Sequence, residues 1–137
     1  ARTEALIAGL GQDEALKRAR AYEAAGADLI LVHSKQKTPD EIEAFARAWD
    51  GKVPLALVPT AYPQMTVARV RELARVGLLI WGNHAVRAAV GAMRQTFARI
   101  RRDGGIHGVE GDIASVDDVF ALQGMGRVKD DEKRFLR

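Results

Sequence analysis

The sequence contains no cysteine, which excludes disulfide bridges, thiolate nucleophiles and cysteine-ligated zinc. No apolar run approaches the roughly 18 residues that a membrane span requires. No two histidines lie four positions apart, and no GxGxxG, P-loop or GxSxG motif is present. The sequence therefore lacks the usual signatures of zinc, nucleotide-binding and serine-hydrolase chemistry, and we expect a soluble protein of the reducing cytoplasm without a membrane partner.

Neither sign of charge predominates strongly, because the sequence contains 21 Lys and Arg residues and 18 Asp and Glu residues. The only dense basic run, Arg99, Arg101 and Arg102, is typical of a solvated helix face, so we expect no nucleic-acid partner. The chain begins Ala1-Arg2, with neither an initiator methionine nor a signal peptide, and we expect it to start inside a longer polypeptide.

Three short runs are apolar at every position, 29–32, 55–58 and 78–81. Uninterrupted apolar runs are typical of parallel strands that are buried on both faces. Their starts lie 26 and 23 residues apart, which accommodates a strand and a crossover helix. The pattern predicts an α/β fold with a parallel sheet, to which a further strand ending at Ala1-Arg2 would add an edge.

Amphipathic segments between and after these runs predict helices. The first spans 12–25 and stops at Gly26, and the second begins Thr38-Pro39-Asp40-Glu41, with Thr38 as N-cap and Glu41 completing a capping box. A third spans 66–76 and stops at Gly77. The fourth spans about 84–102 and carries an apolar stripe that we expect in the core: Val86, Ala89, Val90, Met93, Phe97 and Ile100.

The C-terminal segment carries weaker signals. We expect a loop over 104–114, a short helix capped by Ser115 that runs to Leu122, and a loosely ordered charged tail from Gly124. A complete (β/α)₈ barrel takes about 250 residues, so the chain corresponds to half of one. We predict a single partial domain over 1–137, with a barrel half over 1–106 and a loop, short helix and tail over 107–137.

Polar side chains follow each predicted strand, where parallel α/β proteins place their chemistry. Arg2 offers a planar fork of donors for phosphate or carboxylate, and Glu4 could pair with it. His33 follows a buried strand directly and is either a functional group or a hydrogen-bonded structural one. Thr60 and Asn83 are candidates for the site or for turns and caps. The residues by themselves predict an anion-binding α/β half-domain.

Long ordered stretches of the sequence resemble a known family. They are 1–9 (ARTEALIAG), 24–28 (AAGAD) leading to 32–35 (VHSK), 58–60 (VPT) and 82–88 (GNHAVRA). They are similar to the phosphoenolpyruvate mutase branch of the isocitrate lyase superfamily, and within it to the members that hydrolyse phosphonopyruvate. The resemblance runs from residue 1 to about 106 and returns in the tail.

The resemblance implies the C-terminal half of a (β/α)₈ TIM barrel that uses Mg²⁺ and cleaves the carbon–phosphorus bond of phosphonopyruvate, giving pyruvate and phosphate. It implies that Arg2 binds the phosphonyl group and that His33 contacts the pyruvoyl oxygens, with supporting roles for Glu4, Thr60 and Asn83. Family members exchange the helix after the last strand between subunits. The resemblance therefore implies a homo-oligomer, a dimer or tetramer, built through the helix at 84–102.

The family's metal-binding aspartates and its gating loop belong to segments upstream of the matching stretch. We therefore expect no metal ligand in this chain, with the Mg²⁺ ligands in the N-terminal half, and no activity for the chain alone. Trp81 is more similar to the mutases, so a phosphoenolpyruvate mutase is one alternative. A half-barrel that pairs with itself as an anion-binding or structural module is another.

Overall fold

A computed structural model describes residues 1–136, and its centre is a four-stranded parallel sheet. The strands are β1 (Arg2–Thr3), β2 (Ile30–Val32), β3 (Leu55–Leu57) and β4 (Val76–Leu79). Each strand pairs with the next one in the chain, in the order β1-β2-β3-β4. The predicted parallel α/β architecture is confirmed.

The sequential strand order distinguishes the two parallel folds that use such βα units. A doubly wound open sheet reverses its strand order at a switch point, whereas a barrel adds every strand on the same side. No reversal occurs among the four strands of this sheet. The arrangement is that of half of a (β/α)₈ barrel.

The two faces of the sheet differ in burial. Thr3, Val32 and Leu57 are paired along one register row and are fully buried, because α1 packs against β1 and β2, and buried residues of α2 and α3 belong to the same core. The adjacent row contains Arg2 and Leu78, which are exposed. Side chains alternate between faces along a strand, so His33 shares the uncovered face with Arg2.

The first three helices are α1 (Gly11–Ala24), α2 (Asp40–Ala48) and α3 (Val67–Arg71). Gly26 ends the α1 segment with φ +96°, a conformation that glycine adopts at little cost. The core beneath the helices includes Phe45 and Trp49, whose rings stack with centroids 6.2 Å apart.

Four local predictions were wrong. The chain turns into β4 at Val76, so α3 is much shorter than predicted, Gly77 lies within the strand, and the strand ends two residues earlier than the apolar run. The capping box at the start of α2 is absent: Pro39 is the N-cap, with no side-chain hydrogen bond to the helix. The Thr38 hydroxyl donates to the Asp40 carboxylate instead, at 2.9 Å.

Residues 1–84 form one compact unit, and a second compact unit begins at Ala85. Helix α4 (His84–Asp103) leads into the second unit, which also contains a 3₁₀ turn (Glu110–Asp112), α5 (Val116–Leu122) and α6 (Met125–Phe135). The predicted cap of α5 is confirmed, because the Ser115 side chain accepts from the Asp118 backbone and the Asp118 carboxylate accepts in return.

Two further predictions concern this second unit and were wrong. The tail is helical over α6, where ion pairs such as Arg127–Asp131 at 3.7 Å join successive turns. The apolar stripe of α4 is not part of a core, since no residue of this helix is buried and Phe97 is 67% exposed. The helical spacing predicted an apolar face correctly, but spacing does not specify what covers that face.

No helix within residues 1–136 combines the length and the apolar character that crossing a membrane would take.

Candidate active site

Arg2, Glu4 and His33 lie together where β1 and β2 end, and we call them the carboxyl-end cluster. β1 carries Arg2 in register with Leu31, which places His33 one pleat further along on the same face. The Arg2 guanidinium forms an ion pair with the Glu4 carboxylate, and both side chains are about half exposed. The cluster thus presents a guanidinium, a carboxylate and an imidazole to the uncovered face of the sheet.

The electrostatics of the cluster favour a neutral imidazole. Burial lowers the pKa of His33 from its ordinary value of 6.5, and the positive charge of Arg2 lowers it further, while Glu4 partly opposes the shift. The Nδ1 atom of His33 is buried and has no hydrogen-bond partner among the described residues. A neutral ring can donate a hydrogen bond from one nitrogen and accept one at the other.

Thr60 and Asn83 follow the next two strands at the same edge. Thr60 is partly buried, and its Oγ1 faces Gly82, where a Cβ would lie 3.6 Å away. Asn83 is exposed in the bend that precedes α4. The structure therefore brings Arg2, Glu4 and His33 together, and places Thr60 and Asn83 at the ends of β3 and β4, outside this cluster.

Glu41 and Tyr62 were missed as candidates, and Ser34 was considered only as the neighbour of His33 after β2, without a role of its own. Ser34 is fully buried, and its hydroxyl donates to the Glu41 carboxylate that was predicted to complete the capping box. Tyr62 is also fully buried, and burial together with the charge of Glu41 raises its pKa to about 12. The position of Ser34 next to His33 was the one available signal, whereas nothing in the sequence links Tyr62 to Glu41.

The side chains of the described residues do not form a metal-binding set. Within the described residues 1–136, no three His, Asp or Glu side chains come close enough together to hold a metal ion. Glu4, the carboxylate of the carboxyl-end cluster, is already paired with Arg2. These residues alone therefore do not fit a Mg²⁺ ion, which prefers several oxygen ligands in octahedral geometry.

Comparison with known sequences gives close relatives along the whole chain. It is 62% identical over 137 residues to the phosphonopyruvate hydrolase of Variovorax sp. (strain Pal2), covering 100% of this chain and 47% of that protein. It is 48% identical over 136 residues to the phosphoenolpyruvate phosphomutase of Tetrahymena pyriformis, covering 99% of this chain and 45% of that protein. The chain thus spans about half the length of the relatives that it matches.

Solved structures show the same relationship. The crystal structure of a phosphonopyruvate hydrolase superposes with a TM-score of 0.96 at 62% identity, covering 100% of this chain and 49% of that chain. The phosphoenolpyruvate phosphomutase from Streptomyces platensis subsp. rosaceus superposes with a TM-score of 0.94 at 42% identity, covering 100% and 47%. Together with the sequential sheet order, these neighbours establish the fold as half of a (β/α)₈ barrel.

A family model described as phosphoenolpyruvate phosphomutase matches residues 1–101, which include all four strands and the carboxyl-end cluster. The chain therefore belongs to the phosphoenolpyruvate phosphomutase family.

Proposed function

We propose that this chain is the C-terminal half of a barrel enzyme that hydrolyses phosphonopyruvate to pyruvate and phosphate. The observation that carries the proposal is the 62% identity to a phosphonopyruvate hydrolase across the full length of the chain. We use the term completed barrel for this chain together with the half of the barrel that it lacks. In the reaction, the carbon–phosphorus bond breaks, a water oxygen joins phosphorus, and a proton reaches the carbon that becomes the methyl group of pyruvate.

Arg2 is the residue that we assign to the phosphonyl group. Its guanidinium is half exposed on the uncovered face of the sheet, where it can turn from Glu4 to an anionic ligand. A planar fork of donors can hold two phosphonyl oxygens at once and stabilise negative charge as it moves onto them. The ion pair with Glu4 would hold the fork in place before substrate binds.

His33 is the residue that we assign to the pyruvoyl oxygens. Its lowered pKa keeps the ring neutral near pH 7, so a nitrogen can donate to an oxygen that gains charge when the carbon–phosphorus bond breaks. Thr60 and Asn83 would support the substrate from the ends of β3 and β4.

We also propose that the completed barrel needs Mg²⁺, because a solved phosphonopyruvate hydrolase is a complex with oxalate and Mg²⁺. The residues of this chain do not provide the ligand set, so the oxygen ligands would come from the other half of the barrel. We therefore assign no step of the reaction to the metal here.

The test is phosphate release from phosphonopyruvate in the presence of Mg²⁺. We expect turnover by the completed barrel and none by the 137-residue chain alone, because the metal ligands and half of the substrate cavity are missing from it. Turnover by the chain alone would contradict the proposal. An inactive completed barrel that binds oxalate would contradict the substrate assignment but not the site.

The mutase activity is the second candidate, because the chain is also 48% identical to a phosphoenolpyruvate phosphomutase. The two reactions differ in their products. Pyruvate and phosphate from phosphonopyruvate support the hydrolase, whereas phosphoenolpyruvate supports the mutase. Product analysis by ³¹P NMR separates them in a single sample.

Association through α4 is part of the proposal, because this helix carries exposed Phe97, Met93 and Val86 along its apolar stripe. Large exposed apolar patches usually mark contact surfaces. We propose a homo-oligomer in which a second subunit covers this stripe. If the chain is instead a half-barrel that only pairs with itself, we expect the same association, but no turnover of phosphonopyruvate when the other half of the barrel is supplied.

A further inference from the structure

Ser34, which is buried, and Glu41, which is partly buried, form a polar pair next to the carboxyl-end cluster. Ser34 follows His33 in the chain and is 0% exposed. Its hydroxyl donates to Oε2 of Glu41 and accepts from the Gln36 backbone N–H at 3.0 Å. One buried hydroxyl thus ties the loop after β2 both to itself and to the first turn of α2.

Glu41 is the residue that the sequence predicted to complete a capping box at the start of α2. In a capping box, the glutamate in the first turn bonds back to the N-cap of its own helix, and α2 has no such bond. Glu41 instead points to Ser34, and the fully buried Tyr62 lies near enough to the same carboxylate for its hydroxyl pKa to be raised. Glu41 therefore bonds to the Ser34 hydroxyl of the loop after β2, and its charge acts on the buried Tyr62 of the loop after β3, whose hydroxyl has no hydrogen-bond partner among the described residues.

His33 depends on its backbone for its orientation. Its Nδ1 atom has no hydrogen-bond partner among the described residues, so no side-chain bond through this nitrogen holds the ring. Because neighbouring residues of an extended chain point to opposite faces, anchoring Ser34 on the covered side fixes the direction in which His33 leaves the strand. The loop from 35 to 38 is exposed and supplies little packing of its own.

We infer that Ser34 and Glu41 are positioning residues, whose hydrogen bond holds the His33 imidazole at the angle needed to contact the substrate oxygens. The contact with substrate rests on the proposed function, but the effect of the pair on the His33 ring does not. Orientation matters because a misplacement of about 1 Å can reduce a rate on the order of 100-fold.

The experiment compares Ser34→Ala, Glu41→Ala and the double variant in the completed barrel. Thr38→Ala is the matched control, since it removes a 2.9 Å side-chain hydrogen bond from the same loop on its exposed side. We expect each single variant to lower kcat by about tenfold with a small change in KM. The double variant should lose no more than either single one, because both remove the same bond. Glu41→Gln keeps an acceptor oxygen and should restore most of the rate.

A second measurement does not depend on turnover. The His33 Cε1–H signal in ¹H–¹³C NMR should be single and sharp in the wild type and in Thr38→Ala, and broadened or doubled in Ser34→Ala and Glu41→Ala. If Ser34→Ala does not fold, Glu41→Ala carries the test, because Glu41 is only partly buried and alanine has a high helix propensity.

Unchanged His33 signals in the folded variants would overturn the inference, as would additive losses in the double variant or an equal loss in Thr38→Ala. An inactive wild-type barrel refutes the proposed function instead, and the NMR result then decides the positioning role alone.

Discussion

Gly51→Ala tests the packing at the end of the sheet opposite the carboxyl-end cluster. Gly51 is buried in the turn between α2 and β3, and an added Cβ would lie 2.6 Å from Cε2 of Trp49 and within contact distance of the Glu23 carboxylate. Moving the Trp49 ring or the Glu23 carboxylate would each break a hydrogen bond. The Trp49 Nε1–H donates to the Val53 carbonyl at 2.9 Å, and Glu23 accepts from the backbone N–H of Lys52 at 2.6 Å.

The magnitude follows from these two contacts. Forcing a methyl group into a close-packed site costs about 1–3 kcal/mol. Displacing the Trp49 ring also costs a hydrogen bond worth about 0.5–1.5 kcal/mol. We therefore expect Gly51→Ala to lower the free energy of unfolding of the completed barrel by about 2–4 kcal/mol. This corresponds to a fall in Tm on the order of 5–15 °C.

Thermal and urea unfolding, followed by circular dichroism, measure the effect. Gly91→Ala is the matched control, because Gly91 lies within α4 and no atom lies within 4 Å of its added Cβ. Alanine in an open helical position should stabilise the protein by roughly 0.5–1 kcal/mol. Both substitutions replace a glycine with alanine, and the structure predicts changes of opposite sign in the free energy of unfolding. A stability of Gly51→Ala equal to that of the wild type would refute the packing argument.

The remaining predictions concern the site and the exposed helix. Arg2→Lys in the completed barrel should reduce kcat/KM at least tenfold with an unchanged circular dichroism spectrum, because a point charge cannot reproduce the two-donor fork. His33 should titrate below pH 6.5 in an NMR titration, and Glu4→Gln should lower its pKa further by removing the one charge that raises it. The pKa of His33 is lower in the folded protein than in the unfolded chain, so the unfolded chain takes up the proton at a higher pH. The contribution of His33 to the free energy of unfolding should therefore decrease as the pH falls from 6.5 through the folded pKa. Phe97→Ser should reduce the oligomeric mass measured by light scattering, because this side chain is 67% exposed on the apolar face of α4.

Each of these predictions has a contrary result. An unchanged rate in Arg2→Lys removes Arg2 from the site, and a His33 pKa above 6.5 contradicts the lowering effect that we assign to burial and to the charge of Arg2. For Phe97→Ser the matched control is Leu122→Ser, at an 87% exposed apolar residue on α5. Equal changes in mass for both variants would show that α4 has no special part in association.

The sequence by itself determined the class of the fold, and it predicted the edge of the sheet at which we expect the chemistry. Buried parallel strands require apolar side chains on both faces, so the runs before His33, Thr60 and Asn83 identified strands and marked their carboxyl ends. Local chemistry was equally legible at Ser115, whose cap depends only on residues three positions apart. These features could be predicted because the interactions that produce them are close in the sequence.

The tertiary structure decided what depends on distant partners. Glu41 had two possible hydrogen-bond partners, the Ser34 hydroxyl and the backbone at the start of α2. It accepts from Ser34, because a buried donor without an acceptor is costly, whereas backbone groups at the start of the helix can bond to water. Val76 and Gly77 extend as β4 because β3 offers a row of unpaired backbone groups. The spacing of the apolar residues predicted the stripe on α4. Whether such a stripe is buried depends on the surface that packs against it, and spacing along one helix carries no information about that surface.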